Sequence, residues 1–345
     1  MTRRLTAIFF SCALLAAARP GPLRAGADAG TTAANFLKIP VAAIPSAMSD
    51  AYTAMVGPDS ILYNPAALGL LSYSSFSGAH NQYLEGITQE YAALLYSFRY
   101  GTVGAAFTSV ASGKIDAYDA DDMPIGKTST SHRMMMISYG RSWPHFNEDA
   151  GRLDPMLITP SWTKVEPVTS FRPRSYRFSA GVSVKKITEK LDEETSSAQA
   201  FDAGLMLLLP GHFHMGLAAL NFGGGQKIVK DTFQPPSSVR FGVAKDFHTM
   251  NDVMIFTLAS DAVKYRDTAY YNTTGVEVDV MRMFQFRLGY KTSKDAGSRL
   301  SGGFGLNFDR LAEKDSLVHG MRADYAFVDY GDLGATHRLG IQLIW

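Results

Sequence analysis

Three features predict an all-β fold: strand-length segments that alternate apolar with polar residues, an export signal ahead of them, and a last strand that stops on an aromatic. The expected architecture is a transmembrane antiparallel β-barrel of about 14 strands with a short N-terminal plug containing a helix. Three units follow: a signal peptide over 1–27, a plug segment over 28–71 and a barrel over 72–345.

The signal comes first. Arg3 and Arg4 precede an apolar run from Leu5 to Ala18, broken only by Thr6, Ser11 and Cys12, and the segment closes on Arg24-Ala25-Gly26-Ala27. A basic start, a short apolar run and small residues before a cleavage point form a secretory signal. The run is too short for a helical span, which takes about 20 residues. Cys12 is the single cysteine of the chain, so the exported protein has no thiol and forms no disulfide.

Composition narrows the class. The roughly 318 residues left after cleavage suffice for one large β domain. Lys and Arg total 33 against 32 Asp and Glu, and the net charge of +1 with no basic stripe argues against a nucleic-acid partner. Mean hydropathy is −0.04, as for a soluble protein. A barrel has the same average, because lipid-facing and lumen-facing side chains alternate.

The plug segment holds a predicted helix from Ser46 to Val56. Met48, Tyr52 and Met55 share one face of it and are candidates to line a hydrophobic pocket. Asn64-Pro65-Ala66 reads as a turn, since Asn before Pro is pushed to extended geometry and its side chain caps nearby backbone. Apolar residues such as Ile39, Val41, Ile44, Ile61 and Leu62 are too many for a solvated tail. They must be buried against something, and the barrel interior is the nearest host.

Strands are expected over 72–80, 87–98, 101–111, 131–142, 175–187, 198–209, 212–221, 237–247, 252–264, 270–281, 284–293, 298–309, 317–328 and 336–345. Their number is even, as in single-chain bacterial barrels. In the segment 284–293, Phe284, Phe286, Leu288 and Tyr290 oppose Gln285, Arg287, Gly289 and Lys291. An Arg or Lys facing lipid at the bilayer centre costs about 2–4 kcal/mol. Arg177, Arg240, Arg287 and Arg322 are therefore assigned to the lumen, with Asp202, Glu277, Asp279 and Asp324 as partners. Leu339, Ile341, Leu343 and Trp345 form the outer row of the last strand and are assigned to barrel closure and to recognition by the outer-membrane insertion machinery. A soluble sandwich whose charged face meets water is the competing reading; the signal, the strand count and the terminal aromatic favour the barrel.

With the N-terminus on the periplasmic side, connections over 112–130, 188–197 and 222–236 are long and extracellular, whereas those after even strands are short. Residues 143–174 break the pattern, as a long connection on the periplasmic side.

No arranged chemistry stands out. The sequence lacks Gly-x-Ser-x-Gly, a P-loop and a dinucleotide fingerprint, so no enzyme activity and no cofactor are expected. Asp119, Asp121 and Asp122 lack Ca²⁺-loop spacing, and His212 and His214 read as a polar rim rather than a metal site.

One ordered set of motifs goes further. Asn35-Phe36-Leu37-Lys38-Ile39-Pro40-Val41, Ala51-Tyr52-Thr53-Ala54 and Asn64-Pro65-Ala66 precede the strands; Phe201-Asp202-Ala203-Gly204 and Asn221-Phe222-Gly223 follow. The set ends in Ala323-Asp324-Tyr325-Ala326, Asp329-Tyr330-Gly331-Asp332 and Thr336-His337-Arg338. It resembles the PorV/PorQ family of FadL-like outer-membrane proteins. The family usually has an Arg and several glycines before its Ala-Tyr-Thr-Ala stretch, whereas this chain reads Ala42 to Asp50 without them. The resemblance implies a plugged barrel in the outer membrane of a diderm bacterium, in contact with membrane lipid. It leaves two roles open: moving hydrophobic small molecules such as fatty acids, or serving type IX secretion by shuttling exported proteins to the cell surface.

Overall fold

The computed structural model describes residues 30–119, 121–143, 176–192, 194–228, 231–249, 253–292, 299–308 and 320–345. The signal over 1–27 and the connection over 144–174 lie outside the described residues.

Strands β1 (Ser75–Gln82), β2 (Thr88–Phe98) and β3 (Gly101–Ala111) are followed by a separate hairpin, β4 (Ile115–Tyr118) and β5 (Pro124–Thr128). Then come β6 (Thr130–Trp143), β7 (Arg177–Leu191), β8 (Glu194–Leu209) and β9 (Phe213–Gly223), and a second hairpin, β10 (Gln226–Ile228) and β11 (Asp231–Phe233). The chain ends with β12 (Ser238–His248), β13 (Met254–Tyr265), β14 (Tyr271–Val280), β15 (Phe284–Lys291), β16 (Leu300–Asn307), β17 (Met321–Asp329) and β18 (Ala335–Ile344). Leaving out the two hairpins, 14 strands close into one antiparallel barrel. The seam joins β1 to β18 from Ser75↔Ile344 to Gln82↔His337. Ser74 and Trp345 exchange backbone hydrogen bonds of 3.0 and 3.1 Å beyond it. Closure pairs the last open edge, the condition for placing backbone in hydrocarbon.

The outside is an apolar belt. Leu94, Ile137, Val182, Leu205, Phe286, Leu288, Phe304, Leu339 and Ile341 are exposed on it, and the residues between them point inward. Aromatics gather where the short turns lie. Tyr96 stacks near Phe98, Phe98 meets Tyr100 edge-on, and Trp143 stacks on Phe178 at 6.0 Å. This is the aromatic girdle of a membrane interface. The protein is an outer-membrane β-barrel.

Two expectations fail locally. The loop expected over 188–197 is strand for most of its length, because β7 and β8 run on as a paired ribbon to Leu191↔Glu194. Its polar residues signalled departure from the bilayer, not the end of pairing. The helix expected from Ser46 to Val56 is a five-residue helix, Ala43–Ala47. Pro45 sits in its first turn, where proline is tolerated. The helix cannot continue, because Ser49 and Asp50 adopt left-handed φ of 50° and 65°.

The N-terminal residues lie inside the barrel. A methyl group on Gly104, Gly140, Gly181, Gly204, Gly216, Gly242, Gly275, Gly289 or Gly303 would come within 3.0 Å of an atom of residues 47–69. Those glycines belong to β3, β6, β7, β8, β9, β12, β14, β15 and β16. A segment that meets the same face of strands all round a closed ring lies within it. It also runs lengthwise. Thr32 bridges Gln234 in the β11–β12 connection and Lys38 binds Asp267 in the β13–β14 connection at 2.6 Å, both at one end of the barrel, whereas Leu71 accepts from Ser97 beside the β2–β3 turn at the other.

Candidate functional site

The lumen has two unlike walls. On one side, β2, β3, β6 and β7 turn an apolar cluster inward, Leu95, Val110, Met134, Met136 and Ile187, beside polar inward residues such as Gln89, Thr108 and Lys185. Phe36, Val41, Ile61, Leu68 and Leu71 of the N-terminal segment pack on them. On the other side, β12 to β17 carry ions. Arg287 binds Glu277 at 2.5 Å and Asp324 at 2.9 Å, and Arg322 Nε binds Asp324 at 3.0 Å. Strand parity and the cost of charge in lipid force these groups inward together, where they neutralise one another.

One pair reaches across to the N-terminal segment. Asp261 on β13 binds Arg240 on β12 at 3.1 Å. The same carboxylate oxygen accepts from Tyr52 N–H at 3.1 Å, Thr53 N–H at 2.9 Å and the Thr53 hydroxyl at 2.6 Å. Arg240 donates to Thr53 Oγ1 at 3.0 Å and to the Asp50 carbonyl at 2.6 Å, and lies over the Tyr63 ring at 5.2 Å. These bonds hold the backbone in the shape that ends the helix. Each hydrogen bond to a charged group contributes about 1.5–3 kcal/mol.

Asn64, Pro65 and Ala66 form a second anchor. Asn64 Oδ1 caps the turn by accepting from Ala66 N–H at 3.1 Å. Its Nδ2 donates to the Thr53 carbonyl at 2.9 Å and to the Leu205 carbonyl of β8 at 3.2 Å. Ser179 on β7 donates to the Ala66 carbonyl at 2.6 Å. A third anchor joins Ser49 to Ser301, whose hydroxyl oxygens are 2.8 Å apart.

The other sequence candidates fall as follows. Arg177 is buried and points inward. Asp202 also points inward, but its cation is Lys185, at 2.8 Å, rather than an arginine. Met48 is buried among Ala51, Ala54, Ala244 and Ala259. Tyr52 packs with Ile44 and Tyr63, and Met55 is half-buried against both groups. The three share no helix face, since that helix is absent. Leu339, Ile341 and Trp345 point outward and are exposed, and Leu343 is half-buried.

A cavity of 60 Å³ lies in the half of the lumen nearest the long connections, lined by Asp50, Tyr63, Gln89, Lys185, Asn221 and Arg240 among others. That is room for about two waters at liquid density. Met48, Tyr52 and Met55 do not border it.

Sequence reasoning missed Asp261, Thr53, Ser301 and Asp59. Asp261 carried a usable signal, because a carboxylate in mid-strand must face the lumen. Asp59 is fully enclosed, accepting from Ser77 at 2.6 Å and Gln342 at 2.9 Å. Burial pushes its carboxyl up to about 6, although the Ser77 hydrogen bond pulls the other way.

No family model matches the chain, and no curated protein matches its sequence. Solved outer-membrane proteins resemble it in fold. Omp33 of Acinetobacter baumannii is 10% identical, with 80% of this chain and 100% of that one aligned at a TM-score of 0.44. The CymD monoaromatic hydrocarbon channel is 10% identical, covering 88% and 96% at 0.47. The KdgM porin is 8% identical, covering 78% and 98% at 0.32.

Proposed function

We propose that this is a non-enzymatic transport barrel of PorV/FadL type, plugged by its N-terminal segment and serving hydrophobic small molecules such as fatty acids. The observation that carries the proposal is the apolar inner wall beneath that segment. The interior of an open porin is polar. Here Leu95, Val110, Met134, Met136 and Ile187 line one side of the lumen and are covered by Phe36, Val41, Ile61 and Leu68. Displacing the segment uncovers a surface suited to an acyl chain, and methionines adapt to varied apolar shapes. With the segment seated, the 60 Å³ cavity is too small for such cargo.

Ser49→Cys with Ser301→Cys tests this. The two hydroxyl oxygens are 2.8 Å apart, so a disulfide of ~2.05 Å needs only a small approach. Reconstituted in vesicles, the reduced protein should take up a long-chain fatty acid, the oxidised protein should fall to the level of empty vesicles, and reductant should restore uptake. Uptake indifferent to the lock overturns the proposal.

A separate observation favours a secretion role as the second reading. Ile115, Tyr118 and Met123, in and beside the β4–β5 hairpin, and Leu191 at the end of β7 are exposed apolar residues beyond the belt. Such residues suit a protein partner. An exported protein that copurifies with the wild type, and is lost when 115–128 is replaced by a Gly-Ser linker, supports that role.

A further inference from the structure

The outer surface of the barrel is not uniformly convex. An apolar groove of 590 Å³ crosses the lipid-facing side of β1, β2, β3, β6 and β7. Register explains it. Ala105 lies between Leu94 on β2 and Ile137 on β6, and Ala92 lies opposite Phe107. Two short side chains among long ones leave a trough. Leu94 and Ile137 are more than half exposed, so the trough is open to lipid.

The groove ends on cations. Lys186 lies opposite Met135 in the β6–β7 register and lines the groove. Arg133, the next outward residue beyond Met135 on β6, is exposed and diagonal to Lys186. Diagonal cross-strand neighbours are about 7–8 Å apart, so both heads reach one multivalent anion. Among the described residues neither side chain has an ion-pair partner, whereas the inward Lys185 is bound to Asp202 at 2.8 Å. The nearby outward acid, Glu90, is held by His80 at 2.7 Å. Below Lys186 the outward residues of β7 are Val184, Val182, Ala180 and Phe178, so the cations stand at the edge of the apolar belt, where head groups lie.

We propose that this face is a lipid-binding site, in which Lys186 and Arg133 hold the phosphate of an anionic, multiply acylated outer-leaflet lipid and the groove over Ala92 and Ala105 holds one of its acyl chains. Two unpaired cations select a phosphate over a zwitterionic head group, and the trough selects a chain over a flat belt.

Native mass spectrometry of the full mature chain in detergent, titrated with lipid A and separately with phosphatidylethanolamine, tests the site. Wild type should retain lipid A and release phosphatidylethanolamine. Arg133→Gln with Lys186→Gln should weaken lipid A retention by at least about tenfold. Ala92→Leu with Ala105→Leu, which fills the trough without touching charge, should do the same. Lys264→Gln, which removes an exposed cation from β13, should bind as wild type does. Heat-modifiability on gels confirms that each variant is a folded barrel. Equal retention of the two lipids by wild type, or undiminished lipid A binding by a folded groove or cation variant, overturns the proposal.

Discussion

Thr53 is bound twice by Asp261: one carboxylate oxygen accepts its backbone N–H at 2.9 Å and its hydroxyl at 2.6 Å. The two residues are 208 positions apart in sequence. One belongs to the segment inside the barrel and the other to the wall, so this contact fastens the first to the second. Arg240 sits against both, which makes the fastening an ionic one.

Asp261→Asn should therefore loosen the segment without opening the barrel. The substitution keeps the shape but leaves Arg240 buried without its counter-charge. Breaking one side of a buried pair costs about 3–5 kcal/mol. Hydrogen exchange of residues 50–56 should accelerate by two decades or more, at about 1.4 kcal/mol per decade, while the strands keep wild-type protection. Unchanged exchange at 50–56 would show that the clamp does not hold the segment.

A steric test acts on the same docking without charge. A methyl group on Gly289 would run into the Met48 carbonyl carbon and the Ser49 amide, both backbone, which cannot turn aside. Gly289→Val should displace residues 47–50 at a cost of about 1–3 kcal/mol, the usual range for overpacking. Its control lies on the neighbouring strand, where a methyl on Gly302 meets only atoms at 3.5 Å. Limited proteolysis should cut the 30–71 segment in Gly289→Val and spare it in Gly302→Val, with both proteins heat-modifiable.

These contacts mark where the sequence stops being legible. Alternation assigns a face to each residue, and lipid forbids charge, so the inward placement of Arg287, Arg322 and Asp324 can be read directly. Alternation does not say which strand lies opposite. The partner of Arg240 is Asp261 and that of Asp202 is Lys185, and both depend on register between neighbouring strands. The helix is misplaced by the sequence pattern for a related reason. Residues 46–56 carry a helical pattern, but bonds from Asp261 and Arg240 to Tyr52, Thr53 and Asp50 outweigh local preference. The inward glycines are visible as small positions in several strands. That they form a seat for the segment emerges only when the barrel closes.

The last residue offers a test of assembly. Trp345 is exposed on the outer face, and its backbone N–H and carbonyl both bond to Ser74 beyond the last seam pair. Deleting it removes two closing hydrogen bonds and one member of the aromatic girdle. Levels of heat-modifiable protein in the outer membrane should drop on deletion, remain near wild type in Trp345→Phe, and be unaffected by deletion of Gly113 in the β3–β4 connection. Equal levels for the two deletions would argue against terminal recognition by the insertion machinery.

Asp59 should make stability fall as pH rises across the mildly acidic range. Burial raises its carboxyl from 3.8 to about 6, with the Ser77 hydrogen bond opposing and the nearby Asp324 charge adding to the rise. The folded protein thus keeps a proton that the unfolded chain has already lost. The stabilisation is complete below pH 3.8, declines between 3.8 and 6, and is gone above 6. The loss amounts to about 3 kcal/mol, since each tenfold change in proton affinity is worth about 1.36 kcal/mol. Asp59→Asn should remove it, because an amide carries no charge to bury. Ser77 can still donate to the amide oxygen, and Gln342, whose Oε1 has no partner among the described residues, can turn its amide to accept from the new NH₂. Thermal unfolding in detergent from pH 4 to 7 should show wild type losing stability relative to Asp59→Asn as pH rises, with the gap levelling off above 6. A constant difference across that range would mean that Asp59 titrates normally, with water reaching it past Tyr73 and Tyr91.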